Sequence, residues 1–111
     1  MADSSMVLIQ GTLDMLLLKS LSWGPLHGAA VAAFVHEKSG QALTVEEGAL
    51  YPALHRLEKR GLLVSERGLL STNNRHVKFY RLTPEGFVVL KDETQAWQRY
   101  TAAVSRVLQV P

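Results

Sequence analysis

The sequence predicts a mainly α-helical chain with one small β-hairpin. Apolar residues recur at helical spacing in three segments before residue 60, and a polar loop separates two short apolar strands between Leu62 and Leu82. A long helical repeat then runs from Thr83 toward the C-terminus. Two short helices, a tight connection, a basic helix and a hairpin form a winged helix-turn-helix, here followed by a long C-terminal dimerisation helix.

The first two helices are predicted from apolar spacing and from the residues at their ends. The first begins at about Thr12, which can cap it, and ends near Ser22, where Trp23-Gly24-Pro25 supplies an aromatic anchor and a stop. The second runs from about His27 to Lys38 and leads through a short link to the third helix.

The third predicted helix begins near Glu46 or Glu47 and has two different faces. A leucine stripe faces the core, and a small and basic stripe lies opposite it. Gly48 and Ala49 would let the start of the helix approach DNA closely, while His55, Arg56 and Lys59 would face the major groove. Together with Pro52 these residues form the predicted contact surface, and a merely solvated charged face is the alternative.

The hairpin is predicted to have strands Leu62 to Val64 and Val77 to Leu82. Near its tip, Arg75, His76 and Lys78 would contact the DNA backbone or minor groove, with ordinary solvation of the hairpin as the alternative. Asn73-Asn74 is expected to serve the turn rather than the DNA.

Composition and charge favour a nucleic-acid partner over a catalytic role. The 111 residues predict one domain, and the net charge is only +2, but residues 45–82 hold seven basic and four acidic side chains. No catalytic motif is present, so we expect no enzyme, cofactor or metal site. With no cysteine and no apolar stretch that could span a bilayer, we expect a cytoplasmic protein without a membrane partner.

The final helix is predicted to start at Thr83-Pro84-Glu85 and to run to about Gln109. Residues on one side of it alternate by three and four, which predicts a homodimer seam, with a purely intramolecular stripe as the alternative. The seam residues are Phe87, Leu90, Thr94, Trp97, Thr101, Val104 and Leu108. Trp97 either packs the core of that interface or lines a cavity for a small aromatic or apolar effector.

These predictions define residues 7–82 as a winged helix-turn-helix DNA-binding domain and residues 83–111 as a C-terminal dimerisation helix. The two parts are expected to form one compact structural unit.

Three segments closely resemble the PadR family of bacterial transcriptional regulators: LIQGTLDMLLLKSLSWGPLHG, EEGALYPALHRLEKRGLL and NNRHVKFYRLTPEG. The resemblance covers the chain from about Leu8 to Leu108 and implies a winged-helix dimer, usually a repressor, of the short form with one C-terminal helix. It implies a phosphate contact for Tyr51, for which a half-buried tyrosine without that role is the alternative. Ala29 stands where family members often have an aromatic residue.

Two functions follow from the residues and the resemblance together. The first is a dimeric transcriptional repressor of a pseudo-palindromic DNA operator, released by a small-molecule effector. The second is a winged-helix module that binds a partner protein and not DNA. Salt-sensitive binding to duplex DNA distinguishes the two, because only the first requires it.

Overall fold

The computed structural model describes Leu8 and residues 11–111 and confirms the predicted mixture of helices and a small sheet. The elements in chain order are α1 (Leu13–Ser20), β1 (Leu26–His27), α2 (Gly28–Lys38), α3 (Glu47–Lys59), β2 (Leu63–Leu69), β3 (His76–Leu82) and α4 (Pro84–Leu108). The predicted domain start at residue 7 lies outside the described residues.

The hairpin is an antiparallel pair of seven-residue strands in which Leu63 lies opposite Leu82 and Leu69 lies opposite His76. Strand β2 is longer than the predicted Leu62 to Val64. Its additional residues are mostly polar and partly exposed, so they lack the apolar pattern of a buried strand and are held by the ladder to β3.

The sequence prediction missed a third strand. Leu26 pairs with Tyr80 and His27 pairs with Phe79, which gives an antiparallel sheet of order β1-β3-β2. Two residues are too few to show a period of two in the sequence. Because His27 has extended backbone angles, α2 begins at Gly28, one residue later than predicted.

The ends of α1 also differ from the prediction. Thr12 occupies the N-cap position, but its backbone is helical and its side chain makes no capping hydrogen bond, since a capping side chain usually requires an extended residue. The helix ends at Ser20, two residues early. The prediction that Trp23 is an anchor is wrong. The residue is 83% exposed on the turn, and buried Leu21 closes the core there instead.

The core lies where α1, α2, α3 and the sheet meet the start of α4. Its largest fully buried apolar side chains are Leu17, Leu18, Leu21, Leu50, Leu54, Leu57, Leu63 and Val31. The leucine stripe predicted for the third helix is therefore buried, as expected from its spacing.

The start of α4 confirms the predicted capping signal. The Thr83 hydroxyl oxygen accepts a hydrogen bond from the Gly86 amide at 3.0 Å and donates one to the Gly61 carbonyl at 2.7 Å. Pro84 occupies the first helical position, where its missing amide hydrogen costs no helical bond. One hydroxyl thus begins α4 and ties it to the turn between α3 and β2.

The predicted seam on α4 is divided between the core and the surface. Leu90 is buried in the core of its own chain, and Trp97 borders a cavity that residues near the start of α1 also line. Further along α4, Val104 is 36% and Leu108 is 77% exposed. Phe87 at the other end is half exposed.

Among the described residues, no helix combines the length and the apolar character that crossing a membrane requires.

Candidate nucleic-acid interface

Helix α3 presents one buried and one exposed face, as its sequence predicts. Leu50, Leu54 and Leu57 are at most 1% exposed. The residues on the opposite face are all exposed: Gly48, Ala49, Pro52, His55 and Lys59. A Cβ atom at Gly48 would meet no other atom within 4 Å, so the first turn leaves open space for a ligand surface.

A groove of about 580 Å³ lies between α3, the start of α2 and the hairpin. It is lined by His27, Gly28, Ala29, Glu47, Tyr51, His55, Glu58, Leu70, Arg75, Val77, Lys78 and Tyr80. Four residues predicted to contact DNA therefore come together here from two separate segments of the chain. The other predicted residues on α3, together with His76 on the hairpin, lie outside the lining of this groove.

Tyr51 is positioned by the start of α2. A Cβ atom on Gly28 would come within 2.6 Å of Tyr51 Cε1, so only glycine permits this approach. The Tyr51 side chain packs there while 45% of the residue stays exposed to the groove. Tyr51 thus lies half exposed at the groove, and its phosphate contact stays a prediction.

The tip of the hairpin is held by local hydrogen bonds. Asn73 Oδ1 accepts from the Arg75 amide at 2.9 Å, and the Asn74 amide donates to the Leu70 carbonyl at 2.9 Å. Asn74 has a φ of 55°, which asparagine tolerates better than most residues. The expected turn role of this asparagine pair is confirmed, and the turn sets where Arg75 leaves the loop.

The groove also contains acidic groups, so its charge is mixed. Glu58 Oε2 accepts a hydrogen bond from the Ser65 hydroxyl at 2.6 Å. Burial raises the pKa of the Tyr80 hydroxyl above its usual value, and the negative charges that Glu58 and Tyr51 can carry raise that pKa further. The Tyr80 hydroxyl, which lines the groove, is therefore neutral at neutral pH.

Arg56 faces the other flank of α3. Its Nη2 donates a hydrogen bond to Asp14 Oδ1 at 2.5 Å, and Arg60 Nη1 lies 3.6 Å from Asp14 Oδ2. The Arg56 side chain remains 53% exposed. The structure thus separates Arg56 from the groove and pairs it with α1.

A second cavity, of about 390 Å³, lies between α4 and the start of α1. Trp97, Tyr100 and Met15 contribute to its lining, and the Trp97 and Tyr100 rings lie 6.3 Å apart at an angle of 34°. The tryptophan predicted to lie in the seam thus borders a space within one chain.

Sequence reasoning missed three residues that shape this surface. Gly28 had a visible signal in the His27-Gly28 pair at a helix start, although only the structure shows that Tyr51 fills the space. Asp14 and Glu58 showed no pattern of their own, because each acts on a partner brought to it by the fold. Within the described part of the chain, no cluster of three or more potential ligand side chains could hold a metal ion.

An exposed basic helix after a short helix, with a cation-bearing hairpin beside it, defines the winged helix-turn-helix class. The sequence matches the transcriptional regulator PadR-like family over residues 17–92. The chain belongs to this family of transcriptional regulators.

Individual relatives agree with this assignment. The chain is 39% identical to the transcriptional regulator Rv3488 of Mycobacterium tuberculosis over 71% of its own length and 69% of the relative's. A PadR family transcriptional regulator from Eggerthella lenta superposes with a TM-score of 0.78 at 32% identity, over 92% of this chain and 86% of the other. Bacillus subtilis PadR, solved in complex with operator DNA, superposes with a TM-score of 0.67 at 26% identity. The match covers 78% of this chain and 47% of the other.

Proposed function

We propose that this chain is a dimeric, sequence-specific DNA-binding repressor of transcription. The observation that carries the proposal is the placement of the exposed α3 face and the hairpin cations Arg75 and Lys78 around one groove. Duplex DNA offers a major groove for the helix and adjacent phosphates for the hairpin. The similarity to a PadR structure that contains operator DNA supports the same partner.

We assign base contacts to the exposed face of α3 and phosphate contacts to Tyr51 and the hairpin. Gly48 and Ala49 carry little side chain, so the first turn can approach the base edges. His55 and Lys59 extend from the same face. Tyr51, Arg75 and Lys78 line the groove beside it, where a sugar-phosphate strand would pass.

Two copies would pair through the far half of α4. Tyr100, Val104, Val107 and Leu108 are exposed by 36% or more, although they are apolar or aromatic. At about 1.5 Å per residue a helix of 25 residues extends for about 37 Å, so its end can reach a second copy. A symmetric dimer would place two α3 helices in successive major grooves of a pseudo-palindromic operator, about 34 Å apart.

A small aromatic or apolar effector would release the DNA. The cavity beside Trp97 joins the first helix of the DNA-reading part to the helix that would carry the dimer contact. A ligand there can alter the angle between the two subunits if it binds one arrangement more tightly than the other. We place the protein in the cytoplasm, where its operator would lie.

Selection of bound duplexes from a random-sequence pool tests this function. We expect one enriched pseudo-palindromic site, bound with an affinity that falls steeply as salt is raised. A protein that enriches no sequence and binds no duplex at low salt would contradict the proposal. That result would favour the alternative, a winged-helix module for a protein partner.

A further inference from the structure

An ion cluster of three residues connects α1 to the end of α3. Asp14 lies in the first turn of α1, and its two carboxylate oxygens face the guanidinium groups of Arg56, in the last turn of α3, and of Arg60, the residue that follows the helix. Asp14 is far from both arginines in sequence, since Arg56 follows it by 42 residues. Only the fold brings them together.

The two arginines lie at one edge of the proposed DNA-binding face. Successive residues of an α-helix are about 100° apart, which places Arg56 well to the side of the line through Gly48, Pro52 and His55. Tyr51 lies to the opposite side, toward the hairpin groove. The ion cluster therefore borders the recognition surface on the α1 side.

The carboxylate is the more sheltered partner in the cluster. The Asp14 side chain is 20% exposed, against 53% for Arg56 and 47% for Arg60. A carboxylate largely removed from water depends strongly on its partners, because few water molecules can replace them. Both arginines are thus drawn toward α1, and a DNA phosphate would compete with Asp14 for them.

We propose that Asp14 restrains Arg56 and Arg60 and thereby determines how strongly the protein discriminates its operator from other DNA. Guanidinium groups free to bind phosphates would strengthen binding to every duplex alike, since phosphate contacts carry no sequence information. While Asp14 pairs with the two arginines, a larger share of the affinity for DNA comes from the exposed face of α3. This inference rests on the proposed DNA-binding function.

The test compares the wild type with Asp14→Asn on an operator and on a duplex of scrambled sequence, across a range of salt concentrations. Affinity for the scrambled duplex should rise by roughly tenfold at ~0.1 M salt, and the slope of log K against log salt should steepen by about 0.9 per phosphate gained. The ratio of operator to scrambled affinity should fall.

Glu85→Gln is the matched control. Glu85 is an exposed acid in the first turn of α4 and forms no ion pair with any described residue. Its replacement therefore changes the net charge, and removes an acid from the first turn of a helix, just as Asp14→Asn does. We expect a smaller change in affinity and an unaltered salt slope. Asp14→Glu retains the charge and should stay close to the wild type.

A second variant keeps the proposal testable if Asp14→Asn fails to fold. Arg56→Gln with Arg60→Gln should leave scrambled-duplex affinity almost unchanged in the wild-type background, because both arginines are withheld from DNA. If Asp14→Asn does fold, adding the same pair of substitutions to it should abolish the gain in affinity for the scrambled duplex.

Three results would overturn the inference: Asp14→Asn behaves like Glu85→Gln, Asp14→Asn weakens binding, or the arginine pair lowers wild-type affinity for scrambled DNA. A wild type that binds no duplex would instead contradict the proposed function itself.

Discussion

Basic side chains on the candidate nucleic-acid interface differ in whether they are already ion-paired, and this difference determines which of them are free to bind a DNA phosphate. Lys78 lines the groove and is exposed, and no described residue forms an ion pair with it. The Arg56 side chain is also exposed, by 53%, but is already paired with Asp14. Two residues of equal charge in the sequence therefore have unequal freedom to reach a phosphate.

Replacing Lys78 with alanine should remove one phosphate contact in each subunit. We expect the slope of log K against log salt to become shallower by about 0.9 per subunit, while the preferred sequence is retained. Fluorescence anisotropy with labelled duplexes measures both the salt slope and the sequence preference.

Lys38→Ala is the control, since it removes an equal charge at the end of α2 that lies away from the groove. Equal salt slopes for the two variants would exclude Lys78 from the interface.

Lys59 should contribute to base readout from the exposed face of α3. Lys59→Ala should cost about 1–3 kcal/mol on the selected operator and much less on a scrambled duplex. Lys91→Ala, which removes an equal charge from exposed α4, should change neither value markedly. Equal losses on both duplexes for Lys59→Ala would assign this lysine to the phosphate backbone instead.

At the scale of elements, the structure depends on how the start of α4 is seated against the turn after α3. Thr83 caps the helix, and Gly86 in its first turn is buried. A Cβ atom on Gly86 would lie 2.2 Å from the Leu62 carbonyl oxygen, which is backbone and cannot rotate away. The close approach of these two elements thus requires glycine.

Gly86→Ala should therefore destabilise the protein despite the higher helix propensity of alanine. Overpacking of this kind typically costs about 1–3 kcal/mol, which exceeds the gain of about 1 kcal/mol expected from replacing glycine in a helix. Urea unfolding at one fixed protein concentration measures the change. Glu85→Ala, at an exposed neighbouring position, is the control, and a Gly86→Ala midpoint at or above that of the wild type would contradict the close contact.

At the scale of the whole molecule, the described residues extend 58 × 41 × 22 Å, and the far half of α4 has an apolar surface that no described residue covers. Leu90 is not available to a partner, because it is buried in the core of its own chain. A test of dimerisation must therefore use residues beyond Trp97.

Val104→Asp combined with Leu108→Asp should convert the proposed dimer into a folded monomer. Two carboxylates would have to be buried without partners in the proposed interface, which is strongly unfavourable. Sedimentation velocity measures the mass, and circular dichroism checks the fold. Ser105→Asp with Gln109→Asp adds equal charge one residue further along the chain and should remain dimeric. A dimer formed by both variants would place the interface elsewhere.

The cavity beside Trp97 gives a prediction for the effector. Planar aromatic compounds should quench Trp97 fluorescence in a Trp23→Phe background and weaken operator binding by roughly 5- to 150-fold, the range of typical coupling between sites. Trp23 can be replaced safely because it is exposed on a turn. A varied panel of compounds that causes neither quenching nor release would leave Trp97 as a packing residue.

The sequence was sufficient to predict the helices, the hairpin, the leucine core of α3 and the start of α4. These depend on local spacing and on capping residues such as Thr83, which are visible within a few positions of the chain. The predicted exposed face of α3 follows for the same reason, since the buried leucines determine which residues remain outside.

Four features could be seen only in the tertiary structure: the pairing of β1 with β3, the exposure of Trp23, the burial of Leu90 and the ion pair between Asp14 and Arg56. Each depends on contacts between distant segments, and the spacing of a seam on α4 cannot show whether its partner is α1 of the same chain or another copy. The physical reason is that local pattern determines which side of an element is apolar, whereas long-range packing determines what covers it.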